Sequence, residues 1–301
     1  MAAPATRAPT DSARSSRARI SPDAGLYGPS SEAWRLNREA MLLLGAGPRA
    51  LLMQLAHPLV AEGVEQHSDF RADPWRRLQG TLQSYLRIVY GTSAVARAEI
   101  RRLNELHRTI KGPIRDPGVR TAHGPRYSAR DPELSLWVHA TLVDSTIVAA
   151  DAWLAPEPRD ARRRYYEETK PIGRAFGIPA ALLPNNIDEF EAYMASMLAV
   201  DSPIRVTDTA RDLGRAVLNP PLGPLLPPLA WLPSAAYAWT LWPAVGLLPG
   251  RLLEEYGLPW GPFERGVSAW LVSTWRAARP LFPASVRQMP QAVAADRRIR
   301  G

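Results

Sequence analysis

The chain has 301 residues, of which 46% are hydrophobic and 22% are charged, and this globular composition excludes wholesale disorder. The absence of cysteine excludes disulfides, cysteine-ligated zinc, iron–sulfur clusters and thiolate-ligated or covalently attached c-type haem. The net charge is +8, but residues 1–30 contribute +2 of it and residues 285–301 contribute +3. No basic face for nucleic acid is therefore expected.

The composition changes near both ends of the chain and suggests where the folded domain lies. Residues 1–30 are rich in Ala, Arg, Ser and Pro and poor in apolar residues, so we expect a disordered tail there. We expect one large helical domain over 31–290 and a basic tail over 291–301. No apolar secretory stretch is present near the first residue, which favours a cytoplasmic protein.

Helical periodicity within 31–290 predicts an all-α fold. The first helix is expected to follow a cap at Ser31 and to end at Gly45–Pro48. A long helix from Asp131 to Trp153 is apolar almost all round, so we expect it to be central and buried. The predicted helices cover 34–44, 49–56, a segment starting at 58, 74–91, 96–110, 132–153, 158–176, 187–199 and 262–278, with a Pro/Gly loop at 113–131.

Residues 216–250 contain no charged residue but eight prolines. The longest proline-free run is nine residues, far short of the roughly 20 that a membrane-spanning helix needs. We therefore expect no transmembrane span. The segment is interpreted as a wrapping segment on the core, with a peripheral membrane contact or a gate for an apolar substrate as the second interpretation.

Two of the five histidines, His107 and His139, occupy inward positions of predicted helices. His107 continues the apolar stripe of the 96–110 helix, and His139 lies midway along the long apolar helix. A single buried histidine is most often a hydrogen-bonded core residue. Two inward histidines in an all-α, cysteine-free chain are also suited to be axial ligands of haem b.

Other catalytic patterns are weaker. No histidine has Glu three residues before it, as a di-iron bundle requires, and the His-Glu-x-x-His and Gly-x-Ser-x-Gly motifs are absent. Arginines near an apolar pocket are the usual partners of haem propionates, because a guanidinium binds a carboxylate bidentately. We select Arg71 and Arg77 as cofactor-binding candidates, from a set that also includes Arg49, Arg76 and Arg87.

Three blocks of the sequence resemble a known family. They are ALLMQLAHPLVAEGVEQHSDFRADPWRRLQGTL at 50–82, LHRTIKG at 106–112 and YSARDPELSLWVHATLVDS at 127–145. They are similar to a large bacterial branch of the family that contains the latex-clearing rubber oxygenases and the membrane-bound MpaB oxygenase. The resemblance covers about 31–290 and implies a distantly globin-like helical fold that holds haem b.

The resemblance also implies roles for the two inward histidines. His139 matches the proximal iron ligand, and His107 falls near the distal position as a second axial ligand or an acid/base group. The rubber oxygenases use a distal carboxylate as base, but no Asp or Glu lies between Leu78 and Ala98. Rubber cleavage itself is therefore not expected. His57 and His67 belong to the first block and receive no role.

Three functions follow as hypotheses. The first is a haem-b oxygenase that inserts oxygen from dioxygen into a small apolar, isoprenoid-like substrate, with the iron held by His139. The second is a haem-binding or sensing protein without turnover, favoured by the histidine pair and the missing carboxylate. The third is a cofactor-free helical protein that binds an apolar ligand or a membrane surface through 216–250.

Overall fold

The described part of the protein is mostly helical, as the sequence predicts, with one short β-hairpin. A computed structural model describes residues 23–68, 74–218 and 244–300. Its helices are α1 (Glu32–Asn37), α2 (Ala40–Leu55), α3 (Pro58–His67), α4 (Pro74–Tyr90), α5 (Ser93–Thr109), α6 (Pro117–His123), α7 (Pro132–Trp153), α8 (Arg159–Ala175), α9 (Ile187–Met197), α10 (Asp208–Leu218), α11 (Gly250–Glu255), α12 (Pro262–Ala278), α13 (Ala284–Arg287) and α14 (Pro290–Arg300). A 3₁₀ turn, Arg279–Leu281, follows α12.

Helix α7 lies at the centre of the fold and packs along α2. Gly45 makes this packing possible, because a Cβ atom there would lie 2.6 Å from the indole nitrogen of Trp153. Farther along, the Trp137 indole donates a hydrogen bond of 3.2 Å to the carbonyl of Met53. The expectation of a central, buried long helix is confirmed, and the side chain of Asp131 caps its N-terminus.

The break between the first two helices differs from the prediction. The chain leaves the helix at Arg38 and Glu39, and α2 then continues through Gly45–Pro48, where the sequence predicted an end. Glu39 has extended backbone and forms a β-bridge with Gln288. A tertiary contact with the far end of the chain thus decides where the break falls, and the local Gly/Pro signal does not.

The predicted loop at 113–131 contains regular structure. Strand β1 (Lys111–Pro113) pairs antiparallel with β2 (Arg126–Ser128), and Gly112 lies opposite Tyr127. The tyrosine hydroxyl would lie 3.1 Å from a Cβ atom at Gly112, so only a glycine fits this position without a shift. The hairpin and α6 close over α3 on one side of the core.

The ends of the described chain are more ordered than the composition suggested. Tyr27 packs against the core, and the Asp23 carboxylate accepts hydrogen bonds from both the amide and the hydroxyl of Ser93, at 2.9 and 2.8 Å. Helix α14 occupies the expected basic tail and buries Ala292 and Ala295. Small alanines on one helical face make this packing possible, although the segment as a whole is basic.

A buried ion cluster joins the N-terminal helices to residues near the C-terminus. The carboxylate of Glu39 is 4% exposed and pairs with Arg279 at 2.9 Å and with Arg287. Asp296 of α14 adds a second link by accepting from the Trp34 indole at 3.1 Å and pairing with Arg38. We call Glu39, Arg279 and Arg287 the Glu39 clamp.

The uncharged segment lies mostly beyond the described part of the chain. Residues 216–218 end α10 and 244–250 lead into α11, while 219–243 fall outside the described residues, so the wrapping prediction stays a prediction. Where the chain re-enters, Gly246 lies close against the Trp260 ring and Ser268 of α12. Among the described helices, none is long and apolar enough to cross a membrane.

Candidate functional site

Four helices, α4, α5, α7 and α8, border the region that contains the two inward histidines. Helices α4 and α5 pack on each other, as do α7 and α8, but the backbones of the two pairs stay farther apart. Two contacts connect them at one edge: the Asn104 side chain donates to the carbonyl of Ala175 at 2.9 Å, and the His107 ring centre lies 6.1 Å from that of Phe176. We call the region between these pairs the cleft.

The exposure of side chains along α7 shows where this helix borders the cleft. Ser135, Val138, His139 and Leu142 are among the α7 residues that keep part of their surface accessible. Spacings of three and four residues place these four on one helical face. Apolar side chains at matching positions of the other helices are likewise only partly buried or exposed: Leu78, Leu82, Leu103, Ile172 and Phe176.

His139 presents an unsatisfied nitrogen. Its Nε2 atom is inaccessible to solvent and has no hydrogen-bond partner within the described residues. Burial lowers the pKa of His139 to about 4, so the imidazole is neutral at physiological pH. A neutral imidazole has one nitrogen with a free lone pair, which is the form that ligates metals. A buried polar atom without a partner costs about 1–3 kcal/mol, so its presence calls for a functional explanation.

The neighbour of this nitrogen is a glycine of α8. A Cβ atom at Gly173 would lie 3.2 Å from Nε2 and 3.3 Å from Cδ2 of His139. It would also lie 3.3 Å from a methyl group of Leu183. The missing side chain therefore leaves room for the imidazole, and any larger residue would push the ring aside.

His107 faces the same turn of α8. It lies in the last turn of α5, is partly accessible, and contacts Phe176, which follows Gly173 by three residues. Burial, and then the nearby positive charge of Arg77, lower the pKa of His107. The imidazoles of His107 on α5 and His139 on α7 thus both lie against the last turn of α8.

The two arginines selected as cofactor-binding candidates differ in what the structure shows of them. Arg77 lies on α4, where Nε is 3.2 Å from the hydroxyl of Ser68 and Nη1 is 3.3 Å from that of Thr81. Its charge lowers the pKa of His107, which indicates that the two side chains are neighbours, and the Arg77 side chain itself is exposed. Arg71 lies outside the described residues, so that prediction is untested.

The other arginines are used elsewhere or lie on the surface. Arg49 is buried and pairs with Asp144 at 2.7 Å. Arg87 pairs with Glu99 at 3.3 Å, and Arg76 is exposed on α4.

A buried group of polar side chains, missed by the sequence analysis, lies two turns beyond His139. Thr146 is on the His139 face of α7 and hydrogen-bonds Tyr165. Tyr165 also bonds Tyr85, whose hydroxyl donates to Asn37 at 2.8 Å. Burial raises the pKa of both tyrosines, so they stay protonated. The sequence signal that could have revealed this group is Tyr85, which places a hydroxyl in the apolar stripe of α4 that contains Leu78 and Leu82.

The histidines of the first block have structural positions. The Nδ1 atom of His57 accepts from the amide of Leu59 at 3.2 Å and caps α3, and burial lowers its pKa to about 4. His67 is exposed, with its ring centre 6.4 Å from that of Tyr127. Neither contacts the residues that line the cleft.

Comparison with known proteins identifies the family of this chain. The chain belongs to the family described as ER-bound oxygenase mpaB/B′ and rubber oxygenase, catalytic domain, whose model matches residues 34–280. The match spans most of the described helices, including all four that border the cleft. The resemblance read from the three sequence blocks is thereby confirmed, and the family is one of oxygenases.

Two curated relatives are similar over most of their length. They are Uncharacterized protein Mb2261 of Mycobacterium bovis and Uncharacterized protein Rv2237 of Mycobacterium tuberculosis. Each is 25% identical over 243 residues, which cover 77% of this chain and 87% of the relative. No solved structure matches the chain.

Proposed function

We propose that this protein is a haem-b-dependent oxygenase that acts on a small apolar substrate, with the haem in the cleft and His139 as its iron ligand. The observation that carries the proposal is the Nε2 atom of His139, which is buried, neutral and without a hydrogen-bond partner among the described residues. A metal–nitrogen bond would satisfy this atom. The family's oxygenase character supports the same assignment.

The residues around the cleft fit a flat, largely apolar cofactor. The helix pairs stand apart at this place, and Leu82, Leu142 and Phe176 offer apolar surface on three of the four helices. Gly173 leaves room for the imidazole in its present position against α8. Arg77 near the same space would supply the cation that a propionate requires. Within the described residues, no cluster of three His, Asp or Glu side chains could hold a metal ion by itself.

The chain's own residues have distinct tasks in this proposal. When bound, haem b supplies the redox chemistry that activates dioxygen. The apolar walls bind the substrate and exclude water, which strengthens every polar interaction inside. His107 is the imidazole facing the cleft from the α4–α5 hairpin, since α4 has no acidic residue and Glu99 is engaged by Arg102 at 2.5 Å. We assign to His107 the transfer or retention of a proton on the side opposite α7.

A non-catalytic haem protein is the second candidate, and one observation favours it. His107 and His139 approach the same turn of α8, so both imidazoles could ligate one iron. Such an iron would have no free position for dioxygen at rest. The two candidates share the cofactor and differ in the role of His107.

The test is an absorption spectrum of protein produced with a haem precursor, compared with His139→Ala, His107→Ala and the exposed control His67→Ala. We expect a Soret band that His139→Ala abolishes and His67→Ala preserves. If His107→Ala converts a low-spin spectrum into a high-spin one, His107 is the second ligand. A parent protein without a Soret band after haem reconstitution would overturn the cofactor assignment. Oxygen uptake by the reduced protein with isoprenoid substrates then separates the oxygenase from the sensor.

A further inference from the structure

A polar groove lies between the C-terminal end of α5 and the β1–β2 hairpin. Its volume is about 650 Å³. The residues that line it are all polar or charged, and three of them are basic while one is acidic: Glu105, Arg108, Thr109, Lys111, Ser128 and Arg130. We call this depression the hairpin groove.

The α5 side of the groove is set by helical spacing. Glu105, Arg108 and Thr109 are spaced by three and four residues and therefore share one face of the helix. His107 lies on the opposite side of the same helix, where it contacts Phe176. The hairpin groove is thus separate from the cleft.

The hairpin side of the groove is set by strand pairing. Lys111 lies directly opposite Ser128 in the antiparallel register, so both side chains project from the same face of the hairpin. The next pair, Gly112 and Tyr127, is buried and projects from the other face, toward the core. The register therefore directs an ammonium group and a hydroxyl group together toward the α5 residues.

The basic side chains of the groove keep donors that the protein does not use. Within the described residues, neither the Lys111 ammonium nor the Arg130 guanidinium has a side-chain hydrogen bond or an ion pair. Arg108 contacts Glu105 through Nη1 alone, at 3.0 Å from each carboxylate oxygen, which leaves its other nitrogens available. The Ser128 hydroxyl accepts from the amide of Arg130 at 3.2 Å and retains its own proton to donate.

We propose that the hairpin groove binds a small polar molecule that carries one or two phosphate groups. A guanidinium matches the geometry of phosphate oxygens, an ammonium adds a point charge, and a hydroxyl donates a further hydrogen bond. Lys111 and Arg130 border one depression without a carboxylate to neutralise them, so their charges repel each other. A bound phosphate removes this repulsion.

The size and lining of the groove favour a small molecule over a larger anion. Its volume lies within the range of about 300–1,000 Å³ that is typical of small-molecule sites. Glu105 lies in the same groove and would repel the closely spaced phosphates of a nucleic acid. The absence of apolar residues among those that line the groove disfavours an apolar ligand. The inference depends neither on haem nor on turnover.

The test is isothermal titration calorimetry and thermal denaturation of the full chain with inorganic pyrophosphate at low salt. The variant Lys111→Gln/Arg130→Gln removes the two unpaired cations. Arg297→Gln/Arg300→Gln on α14 is the matched control, because it changes the net charge equally at exposed positions outside the groove. Ser128→Ala removes only the hydroxyl.

We expect one pyrophosphate to bind per chain and to raise the melting temperature. Binding should weaken by at least about tenfold in Lys111→Gln/Arg130→Gln, by about fivefold in Ser128→Ala, and by less than about twofold in the α14 control. Without pyrophosphate, the double groove variant should melt at or above the temperature of the parent, because a repulsion has been removed.

Four results would overturn the proposal. The first is that millimolar pyrophosphate produces neither binding heat nor a change in melting temperature. The second is that the α14 control loses as much affinity as the groove variant, which would show a response to net charge alone. The third is that duplex DNA binds more tightly than pyrophosphate and loses this binding in the groove variant, which would make the groove part of a polyanion surface. The fourth is that the groove variant without ligand melts several degrees below the parent, which would mean that the fold itself uses these cations.

Discussion

Replacing Gly173 with alanine tests the close approach of α8 to His139. An alanine in the middle of a helix normally stabilises a protein by about 0.5–1 kcal/mol relative to glycine, because glycine loses more backbone entropy on folding. At Gly173 the new methyl group would meet His139 and Leu183 at 3.2–3.3 Å. Carbon atoms in contact normally stay about 3.5–4.0 Å apart, so both neighbours must move by several tenths of an ångström.

The expected free-energy change combines these two effects. Forcing one methyl group into a packed site costs about 1–3 kcal/mol, which exceeds the gain in helix propensity. Gly173→Ala should therefore lower the free energy of unfolding by up to about 2 kcal/mol. Gly266→Ala in α12 is the matched control, because a Cβ atom there meets nothing within 4 Å. It should raise the same free energy by about 0.5–1 kcal/mol.

Urea denaturation followed by circular dichroism measures both variants, and haem titration shows whether the cleft still accepts the cofactor. We expect opposite signs for the two stability changes, and weaker haem binding only in Gly173→Ala. Equal stabilisation by both alanines, with unchanged haem affinity, would refute the contact between α8 and the imidazole. It would also remove the argument that Gly173 leaves room for the imidazole of His139.

Three further predictions concern stability. Burial lowers the pKa of His57 from 6.5 to about 4, so on acidification the unfolded chain binds a proton at this residue before the folded chain does. The stability that the neutral His57 contributes, about 3 kcal/mol at most, is therefore lost as the pH falls from 6.5 to 4. His57→Asn keeps an acceptor for the Leu59 amide and should flatten the pH dependence of urea unfolding; an unchanged slope would contradict this. Glu39→Gln leaves Arg279 and Arg287 without their anion and should lower the free energy of unfolding by about 3–5 kcal/mol. If chemical denaturation shows a decrease below about 1 kcal/mol, the clamp does not stabilise the fold. Deleting residues 1–30 should lower the melting temperature by several degrees, because Tyr27 packs on the core. An unchanged melting temperature in calorimetry would show that this segment does not stabilise the fold.

Local signals in the sequence located most helices correctly. Ser31 and Asp131 each cap a helix through the side chain, and Pro58 and Pro74 each begin one. These signals act over one turn of backbone, so they can be read without knowledge of the tertiary structure. The apolar stripe that contains His107 likewise predicted which side of α5 faces inward.

The errors have a common physical origin in long-range contacts. The break at Glu39 depends on Gln288 and two arginines some 240 residues away, and α14 is held by Trp34. The Tyr85–Tyr165 group joins helices that are far apart in sequence. For the site, spacing identified the two histidines as inward, but only the structure relates both to one turn of α8. The assignment of Arg71 to cofactor binding stays a prediction, because this residue lies outside the described residues.

The Glu39 clamp bears on how the protein is made. Glu39 emerges from the ribosome among the first residues of the fold, whereas Arg287 and Asp296 are synthesised some 250 residues later. At about 5–20 residues per second, the nascent chain carries this carboxylate without its partners for more than ten seconds. The α1–α2 junction cannot take its final form during that interval. We therefore expect the last steps of folding to follow synthesis of α14, with the early helices exposed to chaperones until then.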